Sequence, residues 1–142
     1  MHTLRQMLQA KPAVYTVSPD DTVYHALAVM AEHNIGAVLV IEHGEIVGIL
    51  SERDYARKGI LKGHASKDTP VRALMTTPVV SVPASWSVHH CMSIMTERRI
   101  RHLPVVDGGR LVGVISIGDV VRAVVDEQQF TINALQSYIA SA

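Results

Sequence analysis

Cys91 is the only cysteine in the chain, so an internal disulfide is impossible and the composition fits a reducing compartment. Charge of either sign is not in surplus: 13 Lys and Arg balance 13 Asp and Glu, which removes any global attraction for nucleic acid or an anionic membrane. No apolar run approaches the roughly 18 to 20 residues that span a bilayer. Met1–Ala10 lacks the apolar run of a signal peptide, so a cytoplasmic location is the default expectation. The chain also has no H-E-x-x-H string, no clustered Cys/His pattern and no G-x-x-x-x-G-K-[ST] loop, so neither zinc binding nor ATP hydrolysis is implied.

What the chain does have is 142 residues, 48 % of them hydrophobic, enough for one compact domain or two small halves sharing a core. It also has a repeat. Displaced by 65 residues, Val14–Arg57 falls on Val79–Arg122 without a gap, and 14 of the 44 positions are identical. A repeat of this kind sets the architecture before any motif is considered.

Each half has the same order of patterns. Val14–Val17 and Val79–Val82 are short β-prone runs. Val23, Ala26, Leu27 and Met30 then form an apolar stripe at helical spacing, matched by Val88, Cys91, Met92 and Met95. Strands follow at Ala37–Ile41 and Leu103–Val106, with glycine turns at His43–Gly44 and Gly108–Gly109. Second strands cover Ile46–Leu50 and Leu111–Ile115, and helices start at Ser51 and Ser116. The fold class is therefore α/β (α+β), two β-α-β-β-α repeats, each of which leaves one apolar sheet face to be covered by the other around a pseudo-two-fold axis. Lys58–Ala73 reads as a connection up to Pro70, with a short helical start at Val71–Met75. Thr3–Gln9 reads as a short helix. Val121, Val124 and Val125 continue the last helix of the repeat, and Phe130, Ile132, Leu135 and Ile139 offer a further packing stripe toward the chain's own core or a second subunit. The expected divisions are 11–65, 71–126 and a C-terminal helical extension at 127–142.

Two strings carry the chemistry. Gly48–Asp54 and Gly113–Asp119 both read G-x-x-S-x-x-D at a strand-to-helix junction. Ser with an acid three residues later suits helix capping. The same groups suit a nucleotide: free amides and a serine hydroxyl for phosphate, and an aspartate for two ribose hydroxyls.

With these residues the sequence resembles the CBS domain family. The resembling strings are Met75–Val82, Ser93–Met95, Ile100–Asp107 and Gly113–Asp119, with first-half counterparts at Pro12–Val17, Val29–Met30, Ile35–Ile41 and Gly48–Asp54. The resemblance covers about Lys11–Val125 and is to a stand-alone, bacterial-type CBS pair (a Bateman module). It implies two sheet-to-sheet CBS repeats and two clefts for AMP, ADP, ATP, NAD or S-adenosylmethionine. Carried over by position, Ser116 and Asp119 meet phosphate and ribose in one cleft, with Arg101 beside the phosphate. Val14, Tyr15, Ile35, Gly36 and Ala37 line its adenine side, with Val114 below. The second cleft takes Ser51 and Asp54 with Ile49; Thr76, Pro78, Val79 and Val80 cross into it from repeat two, as do Ile100, Arg101 and His102. Arg101-His102 stand where repeat one has Gly36-Ala37, so the two sites are not equivalent. The implied role is a regulatory sensor without enzymatic activity that forms a homodimer and acts on a separate effector protein.

Other readings use the same residues. Arg98, Arg99 and Arg101, with Arg53, Arg57 and Lys58, form two basic clusters able to meet a nucleic-acid backbone, or else a solvated helix end. A dimerisation module without ligand is a further alternative. The 8 histidines invite a metal reading, but His89 and His90 are adjacent and cannot both face one site along a helix. Cys91 lies on the apolar stripe opposite Ala26 in the repeat and reads as a core residue. Trp86 stands just before a helix, as a cap against the core or a subunit contact.

Overall fold

The computed structural model describes residues 3–9 and 14–141. The expected boundary at residue 11, the Pro12 end of the first-repeat strings and residue 142 lie outside the described residues. The described chain forms two compact units. One is Val14–Val80; the other combines residues 3–9 with 81–141.

In the first unit, β1 (Thr16–Val17) leads to α2 (Val23–His33), then to β2 (Ala37–Glu42) and β3 (Glu45–Ser51). The sheet order is β1-β2-β3, with β1 parallel and β3 antiparallel to β2. Thr22 starts α2 by accepting the His25 amide at 3.1 Å, and Asn34 ends it in the left-handed region at φ 53°. Its stripe Val23, Ala26 and Met30 packs with Val17, Val38, Val40 and Leu50 in the core. His43 and Gly44 both take positive φ in the β2–β3 turn, the backbone that a two-residue hairpin of this twist requires.

The helix expected at Ser51 is short. α3 (Glu52–Asp54) widens into a π-turn over Tyr55–Gly59 and tightens into a 3₁₀ turn over Ile60–Lys62. A β-carbon at Gly59 would come within 2.8 Å of the Tyr55 ring and 3.2 Å of Leu74. Glycine is what lets the chain pass between them.

The second unit repeats the plan with α5 (Val88–Arg98), β4 (His102–Asp107), β5 (Arg110–Ser116) and α6 (Ile117–Ser141). Ser87 caps α5 on the His90 amide at 3.1 Å, and Val88, Cys91 and Met95 are buried. The strand expected at Val79–Val82 shrinks to one bridge, Val82 to Val105. Proline supplies the reason: Leu39, which pairs with Thr16, corresponds to Pro104, and proline has no N–H to extend the pairing. Irregularities at Val40/Ile41 and Val105/Val106 fall at matching positions, so the two hairpins bend alike.

Two further segments complete these cores. α1 (Leu4–Leu8) belongs to the second unit and α4 (Val71–Leu74) to the first, so each leading helix packs in the unit opposite to the repeat it precedes. Their contacts are equivalent. The Leu4 and Arg5 amides donate to the Trp86 and Ala84 carbonyls, and the Val71 and Arg72 amides donate to those of Asp21 and Pro19. Arg5 pairs with Asp107 at 2.8 Å and Arg72 with Glu42 at 2.7 Å. Hydrogen bonding to Glu42, then to Asp20, raises the Arg72 pKa above its ordinary value. Leu4 and Val71 are both fully buried.

Candidate functional site

The two G-x-x-S-x-x-D corners have one construction. Ser51 Oγ accepts the Asp54 amide at 3.1 Å, while Asp54 Oδ2 accepts the Ser51 amide at 2.9 Å. Ser116 and Asp119 repeat both bonds at 3.1 and 2.9 Å. Each pair is a reciprocal capping box with aspartate in the place that glutamate usually takes. The amide that opens each helix is also used: Glu52 donates to the Gly36 carbonyl at 3.0 Å and Ile117 to the Arg101 carbonyl at 2.8 Å. The expectation of free amides awaiting phosphate therefore needs correction. The first and third amides of each helix are satisfied within their own repeat.

The carboxylates do not point into open solvent. The Asp54 and Asp119 side chains are 17 % and 14 % exposed. One oxygen of each serves the cap and the other meets a separate partner. Asp54 Oδ1 accepts from Thr76 Oγ1 at 3.1 Å and lies 3.4 Å from Lys58 Nζ, which also reaches Thr76 at 3.2 Å. Asp119 Oδ1 accepts from Arg122 at 2.9 Å. Lys58 is the residue that the site reading missed; it stood only in a basic cluster. Its position four residues after Asp54 was the available signal, because a helical turn brings such a pair together.

Thr76 is brought in by the backbone. Ile49 and Thr76 exchange both amide bonds, at 3.1 and 2.8 Å. Of the expected second-site residues, Ile49, Ser51, Asp54 and Thr76 therefore meet in one unit. Pro78, Val79 and Val80 share that unit, whereas Ile100, Arg101 and His102 belong to the other. The expected first site divides the same way: Val14, Tyr15, Ile35, Gly36 and Ala37 on one side, and Arg101, Val114, Ser116 and Asp119 on the other. Within the first unit, Ala37 pairs directly with Ser51, so Gly36-Ala37 adjoin that corner; His102 pairs with Ser116 in the same way.

Aromatic side chains add a feature with no sequence signal. The Tyr15 ring stacks on His33 with centroids 3.5 Å apart and planes 12° from parallel. Trp86 stacks on His90 at 3.6 Å, so a helix-side contact is its observed role. His89 faces elsewhere, with Nε2 3.6 Å from Glu127. A groove of about 300 Å³ between α5 and α6 is lined by His89, Val124, Glu127, Gln128, Thr131 and Ile132, none of them from the Ser116 corner. Arg53, Arg57, Arg98, Arg99 and Arg101 are exposed.

Among the described residues no group of three or more His, Cys, Asp or Glu side chains is placed to hold a metal ion. Burial pushes the Cys91 thiol up to about 11, the reverse of an activated nucleophile.

The duplicated corner in its β-α-β-β-α frame has a counterpart among known proteins. The CBS domain model matches residues 5–59 and 71–126, most of the chain. The chain belongs to the CBS domain family. Its two CBS repeats form a CBS pair. It is 45 % identical over 125 residues to the mitochondrial CBS domain-containing protein CBSX3 of Arabidopsis thaliana, matching 84 % of this chain and 61 % of that protein. YhcV of Bacillus subtilis is 39 % identical over 106 residues, 75 % of each chain. Among solved structures, a CBS-domain protein from Burkholderia ambifaria superposes with a TM-score of 0.86 at 52 % identity, covering 92 % of this chain and 99 % of that one. The CBS domain protein NE2398 gives 0.82 at 43 % identity, covering 87 % and 98 %. A ligand-sensing, regulatory role is typical of such CBS modules. No described helix is long and apolar enough to cross a membrane.

Proposed function

We propose that this CBS pair is a regulatory sensor that binds an adenosyl ligand, AMP or a relative such as ADP, ATP, NAD or S-adenosylmethionine, at its Ser-Asp corners. One observation carries the reading. Each aspartate keeps one oxygen in the cap and turns the other to a cation, Lys58 at Asp54 and Arg122 at Asp119. Helix capping alone does not require that second partner. Ribose hydroxyls donate to the outward oxygen, and the displaced cation turns to the phosphate. The helix stays capped throughout, so ligand exchange does not unravel it.

The corners differ in what the ribose must displace. At Asp54 the outward oxygen is shared by Thr76 and Lys58. At Asp119 the arginine is 73 % exposed and gives way at little cost. The Asp119 corner is the tighter site on this reading, with Ser116, Arg101 and Val114 in its own unit.

Regulation follows only if the ligand prefers one arrangement of the protein over another. The chain acts as a cytoplasmic homodimer whose ligand-bound form is read by a separate effector protein. A CBS-CP12 protein from bloom-forming cyanobacteria, 28 % identical to this chain, is hexameric, which supports self-association.

Calorimetry and thermal unfolding against AMP, ADP, ATP, NAD and S-adenosylmethionine test the reading. Binding to the native state raises the midpoint by mass action, with at least one ligand binding in the micromolar to millimolar range. No heat and no shift for any of the five at millimolar concentration overturns it. Salt-dependent oligonucleotide binding in their place favours the arginine clusters.

A further inference from the structure

The far half of α6 has no cover. Val120 is fully buried and Ala123, Val124 and Glu127 are half-buried, but every residue from Gln128 to Ser141 is exposed. These residues are nevertheless apolar along one line. Val121 is 48 % exposed, Val125 54 %, Ile132 47 %, Leu135 57 % and Ile139 71 %. With Gln128 in third place, the six positions step by four, three, four, three and four residues, the spacing of a coiled-coil seam. An isolated helix of this length is marginal in water, and beyond Glu127 it has no charged side chain to form a supporting ion pair.

We propose that this seam is where two copies of the chain associate, pairing their α6 helices in parallel and in register. The proposal rests on the homodimer reading above and is independent of nucleotide binding. Charge and hydrogen bonding select the occupant. The seam has no charged residue, so it neither repels its own copy nor recognises a partner of opposite charge. It lacks the Lys and Arg that hold an amphipathic helix on a lipid surface. Gln128 sets the direction. Its amide both donates and accepts, so in a parallel pair each Gln128 satisfies the other. Antiparallel pairing over the same seam sets Gln128 against Ile132 and leaves the amide unpaired.

The test uses the full chain without nucleotide. Light scattering over a concentration series is expected to give twice the chain mass. Ile132→Asp with Leu135→Asp is expected to give the monomer mass. Phe130→Asp, half a turn away and on a residue 76 % exposed, is expected to keep the dimer. Both substituted sites lie on exposed helix, so circular dichroism should show each unit still folded. If the double variant unfolds, Gln128→Leu gives a second reading: tighter association, with the parallel preference relaxed. Ile139→Cys is expected to form a disulfide-linked dimer on oxidation, since native Cys91 is buried and cannot compete. A monomeric wild type, a dimer that survives the double substitution, or one lost equally with Phe130→Asp overturns the interface. Absence of the Ile139→Cys crosslink in a seam-dependent dimer overturns the parallel register. Adenosyl-ligand titration of the double variant separates the two readings, because nucleotide binding that persists in the monomer leaves the sensor intact whatever the interface.

Discussion

Met75 lies over Gly48 with its sulfur 2.5 Å from where a β-carbon at that position would stand. Leu8 occupies the same place over Gly113 in the other unit. The first glycine of each G-x-x-S-x-x-D string is therefore explained by a leading helix pressing on the strand, without reference to phosphate. Gly48→Ala and Gly113→Ala should each destabilise by about 1 to 3 kcal/mol in urea denaturation. Met75→Ala combined with Gly48→Ala should cost less than the two alone, and strict additivity would refute the contact.

Loss of the motif aspartate should weaken the fold even without ligand. Asp54→Ala and Asp119→Ala each remove a capping acceptor, worth about 1 kcal/mol. Asn keeps an acceptor oxygen, so Asp119→Asn should retain most of that stability. Binding studies on the Ala variants therefore need unfolding curves beside them. An Asp119→Ala midpoint equal to wild type would show that the cap contributes nothing.

Cys91 should resist thiol reagents in the native state. Its folded pKa of about 11 lies above the ordinary 9.0, raised by burial. The unfolded chain therefore releases this proton first as pH rises. The associated stability is fully present below pH 9.0, and declines as pH climbs toward about 11. Iodoacetamide labelling at neutral pH should follow global opening. Stoichiometric labelling within minutes in native buffer would contradict this burial.

Arg99 ends α5 at φ 54°, as Asn34 ends α2 at φ 53°. A left-handed backbone costs a non-glycine residue roughly 1 to 2 kcal/mol, and glycine's extra unfolded-state freedom returns part of that. Arg99→Gly should therefore stabilise by about 0.5 to 1 kcal/mol. A lower thermal midpoint would mean that the arginine side chain has a stabilising partner.

The sequence made the helices and hairpins legible because each rests on local signals: the Val23-Ala26-Met30 stripe, the Thr22 and Ser87 caps, the His43-Gly44 turn. The second repeat's first strand failed because its outcome depends on Pro104, which precedes Val105, the bridge partner of Val82, and meets this segment only in the folded sheet. The leading helices were legible as helices, at Thr3–Gln9 and Val71–Met75, but not as equivalent to one another. Their acceptors stand 65 residues apart, but Leu4 and Val71 stand 67 apart, so the two copies fall out of register. At the site, serine and aspartate were legible as a motif, and Lys58 was readable from its helical offset. The Gly36 and Arg101 carbonyls that consume the helix amides were not, since backbone acceptors leave no trace in residue identity.

The exchange of leading helices sets where the polypeptide can be divided. Cutting at 65, where the duplication suggests, would strip Val71 and Leu74 from the interior they fill and leave two aliphatic vacancies. A fragment of 14–80 retains both. Ancestry by duplication and physical autonomy thus follow different frames in this chain, and a half-molecule drawn on the first will not stand by itself.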